Sequence, residues 1–110
     1  MATFIKGGVV IVPFPFSDLS QAKRRPALIV ARLNGDDLIL CQITSQSISD
    51  NYAVPITNED FINDRLNRIS NIRPNRLFPA DREIILYKAG QLKAEKLKQV
   101  TNKIIDILQQ

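Results

Sequence analysis

The apolar residues of this chain fall in short runs, and proline or glycine punctuates them. Val9-Val10-Ile11-Val12 is opened by Gly7-Gly8 and closed by Pro13, and a second run, residues 27–31, follows Pro26. Runs this short and rich in β-branched residues read as buried strands. Asn34-Gly35 joins the second run to a third, residues 38–43. An Asn-Gly pair accepts the positive φ angles of a tight hairpin turn, so these two strands are expected to pair antiparallel. The spacing changes only after Ala94, where Leu97, Val100, Ile104 and Leu108 recur at helical intervals and Lys96, Lys98, Lys103 and Asp106 fall elsewhere. That is the pattern of an amphipathic C-terminal helix packed by one face, with Lys93 a poor N-cap and its lysines a solvated face.

Residues 14–23 are too polar and too proline-broken for either period and read as a long loop. Residues 52–56 form a fourth extended segment, and Thr57 with Asp60 is placed to cap a single helical turn reaching Asn63. Residues 68–72 alternate charged and apolar side chains before Pro74, residues 76–78 resume that pattern, and residues 83–87 form a further apolar run ended by Gly90. Five or six strands and one terminal helix imply an α+β fold, a small, mostly antiparallel sheet closing into a barrel. No repeat or linker divides the 110 residues, so one domain spanning 1–110 is expected.

Composition removes several chemistries. The chain has no histidine and one cysteine, which excludes an intramolecular disulfide, His-ligated zinc, a histidine-dependent triad and an imidazole acid/base pair. Cys41 lies in the apolar run Leu38-Ile39-Leu40-Cys41 and reads as a small buried hydrophobe, not a nucleophile. No apolar run is long enough to span a membrane and no basic-then-apolar leader opens the chain, so a cytoplasmic protein is expected. A net charge of +4 favours polyanionic partners modestly. Its distribution says more, because Lys23-Arg24-Arg25 and the group Arg65, Arg68, Arg73 and Arg76 fall in segments read as loops and strand ends.

Four segments in order, Gly7-Gly8-Val9-Val10-Ile11-Val12-Pro13-Phe14, Lys23-Arg24-Arg25-Pro26-Ala27-Leu28-Ile29-Val30, Gln42-Ile43-Thr44-Ser45 and Ser70-Asn71-Ile72-Arg73-Pro74-Asn75-Arg76-Leu77-Phe78, resemble the MazF/PemK toxins of type II toxin-antitoxin systems. The resemblance continues through Gly90-Gln91-Leu92 and covers nearly the whole chain. Its most specific part is the Arg-Pro pair entering the second strand combined with a threonine at the end of the third. It implies an SH3-like barrel with a C-terminal helix, a homodimer, a cognate antitoxin partner, and an endoribonuclease that cuts single-stranded RNA to a 2′,3′-cyclic phosphate and a 5′-hydroxyl.

In such a reaction the ribose 2′-hydroxyl is the nucleophile, so neither a protein nucleophile nor a metal or other cofactor is required. Negative charge builds on the phosphorane oxygens, and a guanidinium fork with a hydroxyl donor binds it better than the ground state. Arg25 and Thr44 fit that need if the strand they open and the strand they close meet at one sheet edge. A guanidinium hardly deprotonates, which assigns Arg25 electrostatic stabilisation or proton donation rather than base catalysis. Ser70 stands where the family tends to carry a carboxylate, three residues before Arg73, and Gly8 where an acidic residue is often found.

Asp18 on the long loop is then the candidate base or substrate contact, with Arg68 and Arg73 as phosphate contacts. Lys23, Arg24 and Ser45 flank the pair, and Phe14 and Phe16 are candidates to stack an unpaired base. Each residue also has an ordinary role. Thr44 is a β-former, Ser45 a turn residue, the two phenylalanines plugs under a loop, and the arginines charges that discourage edge pairing. Two alternatives stay open, a barrel that poisons a protein target such as gyrase by binding, and a degenerate member that binds antitoxin but cuts feebly.

Overall fold

The hairpin at Asn34-Gly35 sets the central ladder. Leu33 N–H donates to Asp37 O at 2.9 Å across it, and Gly35 supplies the positive φ of 75° that a side chain resists. The computed structural model describes residues 4–15, 22–62 and 69–110, with the backbone alone at 14, 15 and 22. Its strands are β1 (Gly8–Pro15), β2 (Ala22–Arg32), β3 (Asp37–Thr44), β4 (Val54–Ile56), β5 (Ser70–Asp81) and β6 (Tyr87–Gln91), followed by helix α1 (Ala94–Leu108). They form one sheet in the order β4-β5-β3-β2-β1-β6, with every pairing antiparallel. The sheet curls until its edges approach each other. Phe61, just beyond β4, bridges Leu92, just beyond β6, and Ile62 N–H donates to Gln91 O at 2.9 Å. This is the expected small barrel-like sheet with a C-terminal helix.

Several expectations about extent are corrected. Residues 14–23 are not one long loop, because β1 and β2 continue as a paired ribbon to Phe14↔Lys23 and Pro15↔Ala22. The prolines allow this by their parity. Pro13, Pro15 and Pro26 all fall in the same alternating class of the ladder, opposite Arg24, Ala22 and Ile11, where an amide need not donate to the partner strand. Lys23, Arg24 and Arg25 therefore sit on a strand, not on a loop.

Pro74 does not end a strand either. Cys41 pairs with Leu77 but Ile43 pairs with Ile72, so Arg73, Pro74, Asn75 and Arg76 stand opposite Gln42 alone in a wide bulge within β5. A bulge leaves residues outside the ladder, which is where a proline is tolerated.

Residues 83–87 are not a single strand. Asp81 accepts from Glu83 N at 2.8 Å and caps a 3-10 turn, Arg82–Ile84, that swings the chain from β5 to β6. The strand β6 then starts at Tyr87 and runs through Gly90 instead of ending there. The capping of Thr57 by Asp60 is found as a capping box, although the turn it opens is a 3-10 turn over Asn58–Asp60. The fourth strand is shorter than its apolar pattern, Val54–Ile56.

Alternating side chains build an apolar layer on each face of the sheet. Val9, Leu28, Cys41, Ile43, Ile56 and Ile72 pack with Val100 of α1 on one face, joined by Leu97 and Ile104. Val10, Val12, Ala27, Ile29, Leu38 and Leu40 form the layer on the other, against Phe4, Phe78 and Ile85. Leu108, expected in the helix seam, is 74% exposed. Lys96 departs from the solvated face expected of it, since it reaches Asp60 at 3.7 Å and donates to Pro55 O at 3.2 Å. Lys93 makes no side-chain cap, as anticipated.

Candidate active site

One end of the sheet gathers most of the basic side chains singled out above. The register between β2 and β3 runs to Ala27↔Gln42, and continuing it two residues sets Arg25 across from Thr44. Directly opposed residues share a face, so the guanidinium and the hydroxyl project to the same side, the side of Val12, which pairs with Arg25 from β1. Thr44 in turn pairs with Asn71 of β5, and Arg73 follows Asn71 on the same strand face. A row Arg25, Thr44, Asn71, Arg73 thus crosses three neighbouring strands.

Thr44 is 8% exposed, and its hydroxyl oxygen accepts from Gln46 N at 3.2 Å, which leaves the hydroxyl proton to donate. Asn71, which sequence reasoning did not single out, donates from Nδ2 to Gln46 O at 3.1 Å. The backbone N–H and C=O of Gln46 are therefore both held, and the chain leaving β3 is tied down beside the row. Ser45 is exposed where that chain leaves the strand. Arg25 is half-buried, and Lys23 and Arg24 are exposed on either side of the ribbon.

Arg73 reaches Asp50, its NH2 lying 3.3 Å from the carboxylate Oδ2. The other carboxylate oxygen of Asp50 accepts from Tyr52 N at 2.9 Å and from Ala53 N at 3.0 Å. Asp50 was missed by sequence reasoning, because nothing in its spacing ties it to an arginine 23 positions away. These contacts hold its carboxyl below the ordinary value of 3.8. The Tyr52 N–H contributes most, and Ala53 N–H and Arg73 add to it against the upward push of partial burial. A carboxylate lowered in this way contributes stability that is present above 3.8 and lost as pH falls through its folded value. The Asp50 carboxyl carbon should titrate by NMR with a midpoint below 3.8, moving up in Arg73→Ala; a wild-type midpoint at or above 3.8 would contradict the geometry.

Ser70 does not join the row. It pairs with Ile56, is 5% exposed, and alternates with Ile72 toward the layer beneath α1. Gly8 is buried at the far end of β1, opposite Gln91, away from Arg25. Phe16, Asp18 and Arg68 lie outside the described residues, as do Arg65 and the side chain of Phe14. Arg76 is exposed in the bulge, where it lines a shallow concavity of about 470 Å³ with Asn75, Leu77, Phe78 and Gln42, and Gln42 lies two residues before Thr44 on β3.

Cys41 is buried and donates to Arg73 O at 2.9 Å. Burial pushes its thiol up to about 12, outweighing that hydrogen bond. The native protein should therefore resist thiol alkylation at pH 8 and react fully in denaturant; fast native labelling would show that the layer under α1 is open.

Comparison with known proteins gives the family and the fold. The chain matches the family model described as PemK-like, MazF-like toxin of type II toxin-antitoxin system over residues 5–108. No curated protein matches it. Among solved structures it is similar to a MazE-MazF complex from Deinococcus radiodurans, with TM-score 0.77 and 18% identity, covering 97% of each chain. It is also similar to MazF from the same organism, with TM-score 0.74, 18% identity and full coverage of both chains. A third match, an endoribonuclease in complex with its cognate antitoxin from a mycobacterial species, has TM-score 0.76 and 12% identity, covering 96% of this chain and 95% of that one. Identities this low carry the fold. The family rests on the model match, which spans nearly the whole sequence: the chain belongs to the PemK-like, MazF-like toxin family of type II toxin-antitoxin systems.

Proposed function

We propose that this toxin is an endoribonuclease that cleaves single-stranded RNA without a metal, by attack of the 2′-hydroxyl on the adjacent phosphate. What supports the reading is the register of β2 with β3, which, continued two residues past Ala27↔Gln42, brings Arg25 opposite Thr44. Arg25 supplies a guanidinium to the phosphorane oxygens and Thr44 a hydroxyl donor, both stronger for the transition state than for the substrate. Lys23, Arg24 and Arg73 add positive charge for the RNA backbone. The concavity lined by Gln42, Asn75, Arg76, Leu77 and Phe78 suits an unstacked base, with an aromatic and amide-bearing residues in its lining.

Similar structures support the reading, since one is an endoribonuclease with its cognate antitoxin and another is MazE-MazF. The partner of this chain would be an antitoxin whose acidic, disordered segment folds over the Arg25 corner and competes with RNA. A second copy of the chain would cover Ile84, Leu86 and Tyr87, apolar side chains left exposed beside β6, giving a homodimer. No helix among the described residues is long and apolar enough to cross a membrane, and the RNA substrate argues for work in the cytoplasm.

Induced expression of the wild-type chain without antitoxin should arrest growth, and Arg25→Ala, folded to the same extent, should relieve the arrest. Full toxicity of that folded variant would transfer the reading to a protein that poisons its target by binding.

A further inference from the structure

We propose that Asp50 is the positioning residue of this site, holding the Arg73 guanidinium so that it receives a phosphate oxygen of the RNA; the inference rests on the ribonuclease reading. Ser70, which pairs with Ile56 and alternates with Ile72, faces the helix layer instead of the row Arg25, Thr44, Asn71, Arg73. The carboxylate on the side of the row comes from a different element, the segment between β3 and β4.

Asp50 is built to stay in place. One oxygen is fixed by Tyr52 N–H and Ala53 N–H, so the other presents a set direction to Arg73 NH2 at 3.3 Å. The start of the same segment is clamped where Gln46 N–H donates to Thr44 and Asn71 donates to Gln46 O. The residues that hold the segment are thus members of the row itself. A planar guanidinium gripped at one edge has its remaining N–H groups aimed.

Arg73 is mostly enclosed, its side chain 18% exposed, and its Nε is buried with no hydrogen-bond partner among the described residues. The small part of the guanidinium left to solvent is therefore what an incoming oxygen meets, at a charge more shielded from water than one on a fully solvated arginine. A phosphodiester oxygen suits that exposed remainder in charge, since guanidinium binds phosphate through charge-assisted N–H bonds. Asp50 then acts through Arg73 and need not touch the substrate.

The test compares wild type, Asp50→Asn, Arg73→Ala and the double variant on a mixed-sequence single-stranded RNA. Asparagine keeps an oxygen for the two turn amides and loses the charge toward Arg73, and circular dichroism checks that each variant is folded. The expected result is a fall in kcat/KM of about tenfold to a hundredfold for Asp50→Asn. In the Arg73→Ala background the same change should have no further effect. An unchanged kcat/KM for Asp50→Asn, or an equal loss in both backgrounds, overturns the inference. If wild type cuts nothing, the ribonuclease reading fails, and the Arg73 Nε–H resonance on addition of an RNA dinucleotide decides separately. A shift in wild type that is lost in Asp50→Asn upholds the positioning role, and no shift in wild type overturns it.

Discussion

Arg25→Ala should cost this protein about 10²–10³-fold or more in the rate of RNA cleavage, the range seen when one donor to a developing oxyanion is removed. KM should change far less, because the guanidinium is matched to charge that appears in the transition state. Arg25 is half-buried at the outer part of β2, beyond its last paired residue with β3, so the fold does not depend on it as it does on the apolar residues that follow. The variant should keep its circular dichroism spectrum and most of its thermal stability. Thr44→Val, which keeps the β-branched shape and removes the hydroxyl, should reduce the rate in the same direction by a smaller factor. It also removes the acceptor for Gln46 N–H, so some loss of stability accompanies it. Single-turnover cleavage with each variant in excess over RNA measures these effects free of product release. A folded Arg25→Ala that cleaves at the wild-type rate would remove Arg25 from the chemistry.

Leu28→Ala should destabilise the fold severely. Leu28 is 0% exposed, lies between Val9 and Cys41 on neighbouring strands, and belongs to the layer that packs against Val100. Removing a buried leucine loses its transfer free energy and leaves a cavity that the surrounding strands fill only in part, about 2–5 kcal/mol together. Folded domains are stable by about 5–15 kcal/mol, so the loss is a large share of the total. Urea unfolding should show a midpoint shifted strongly down with a nearly unchanged slope. A shift equivalent to less than about 1 kcal/mol would mean that the layer between sheet and helix is not tightly packed.

The parts of the fold legible in the sequence were those that rest on local chemistry. The Asn34-Gly35 hairpin, the spacing of Leu97, Val100 and Ile104, and the capping pair Thr57 and Asp60 each carry their own backbone or periodic signal. What the sequence concealed was set by long-range pairing. Prolines look like breaks in a linear reading, yet Pro13, Pro15 and Pro26 sit at ladder positions that need no donor, and Pro74 sits in a bulge. Whether a proline ends a strand depends on which side of the ladder its nitrogen faces, and only the pairing decides that.

The same limit governs the site. Arg25 and Thr44 could be proposed as partners because the hairpin joins their strands, and the register is compatible with that choice. Asn71 and Asp50 stayed hidden, since they meet the chain beyond β3 through the distant pairing of β3 with β5 and through an ion pair. The face taken by Ser70 was also invisible, because parity counts only once a neighbouring strand defines the two sides.

The most direct test of the central proposal uses purified, antitoxin-free protein and a long mixed-sequence single-stranded RNA in excess EDTA, with every new 5′ end mapped by its chemistry. Discrete cuts that leave 5′-hydroxyl ends and 2′,3′-cyclic phosphates should be present with wild type and absent with Arg25→Ala. No cleavage by folded wild type, or 5′-phosphate ends that appear only when a divalent metal is restored, would contradict it.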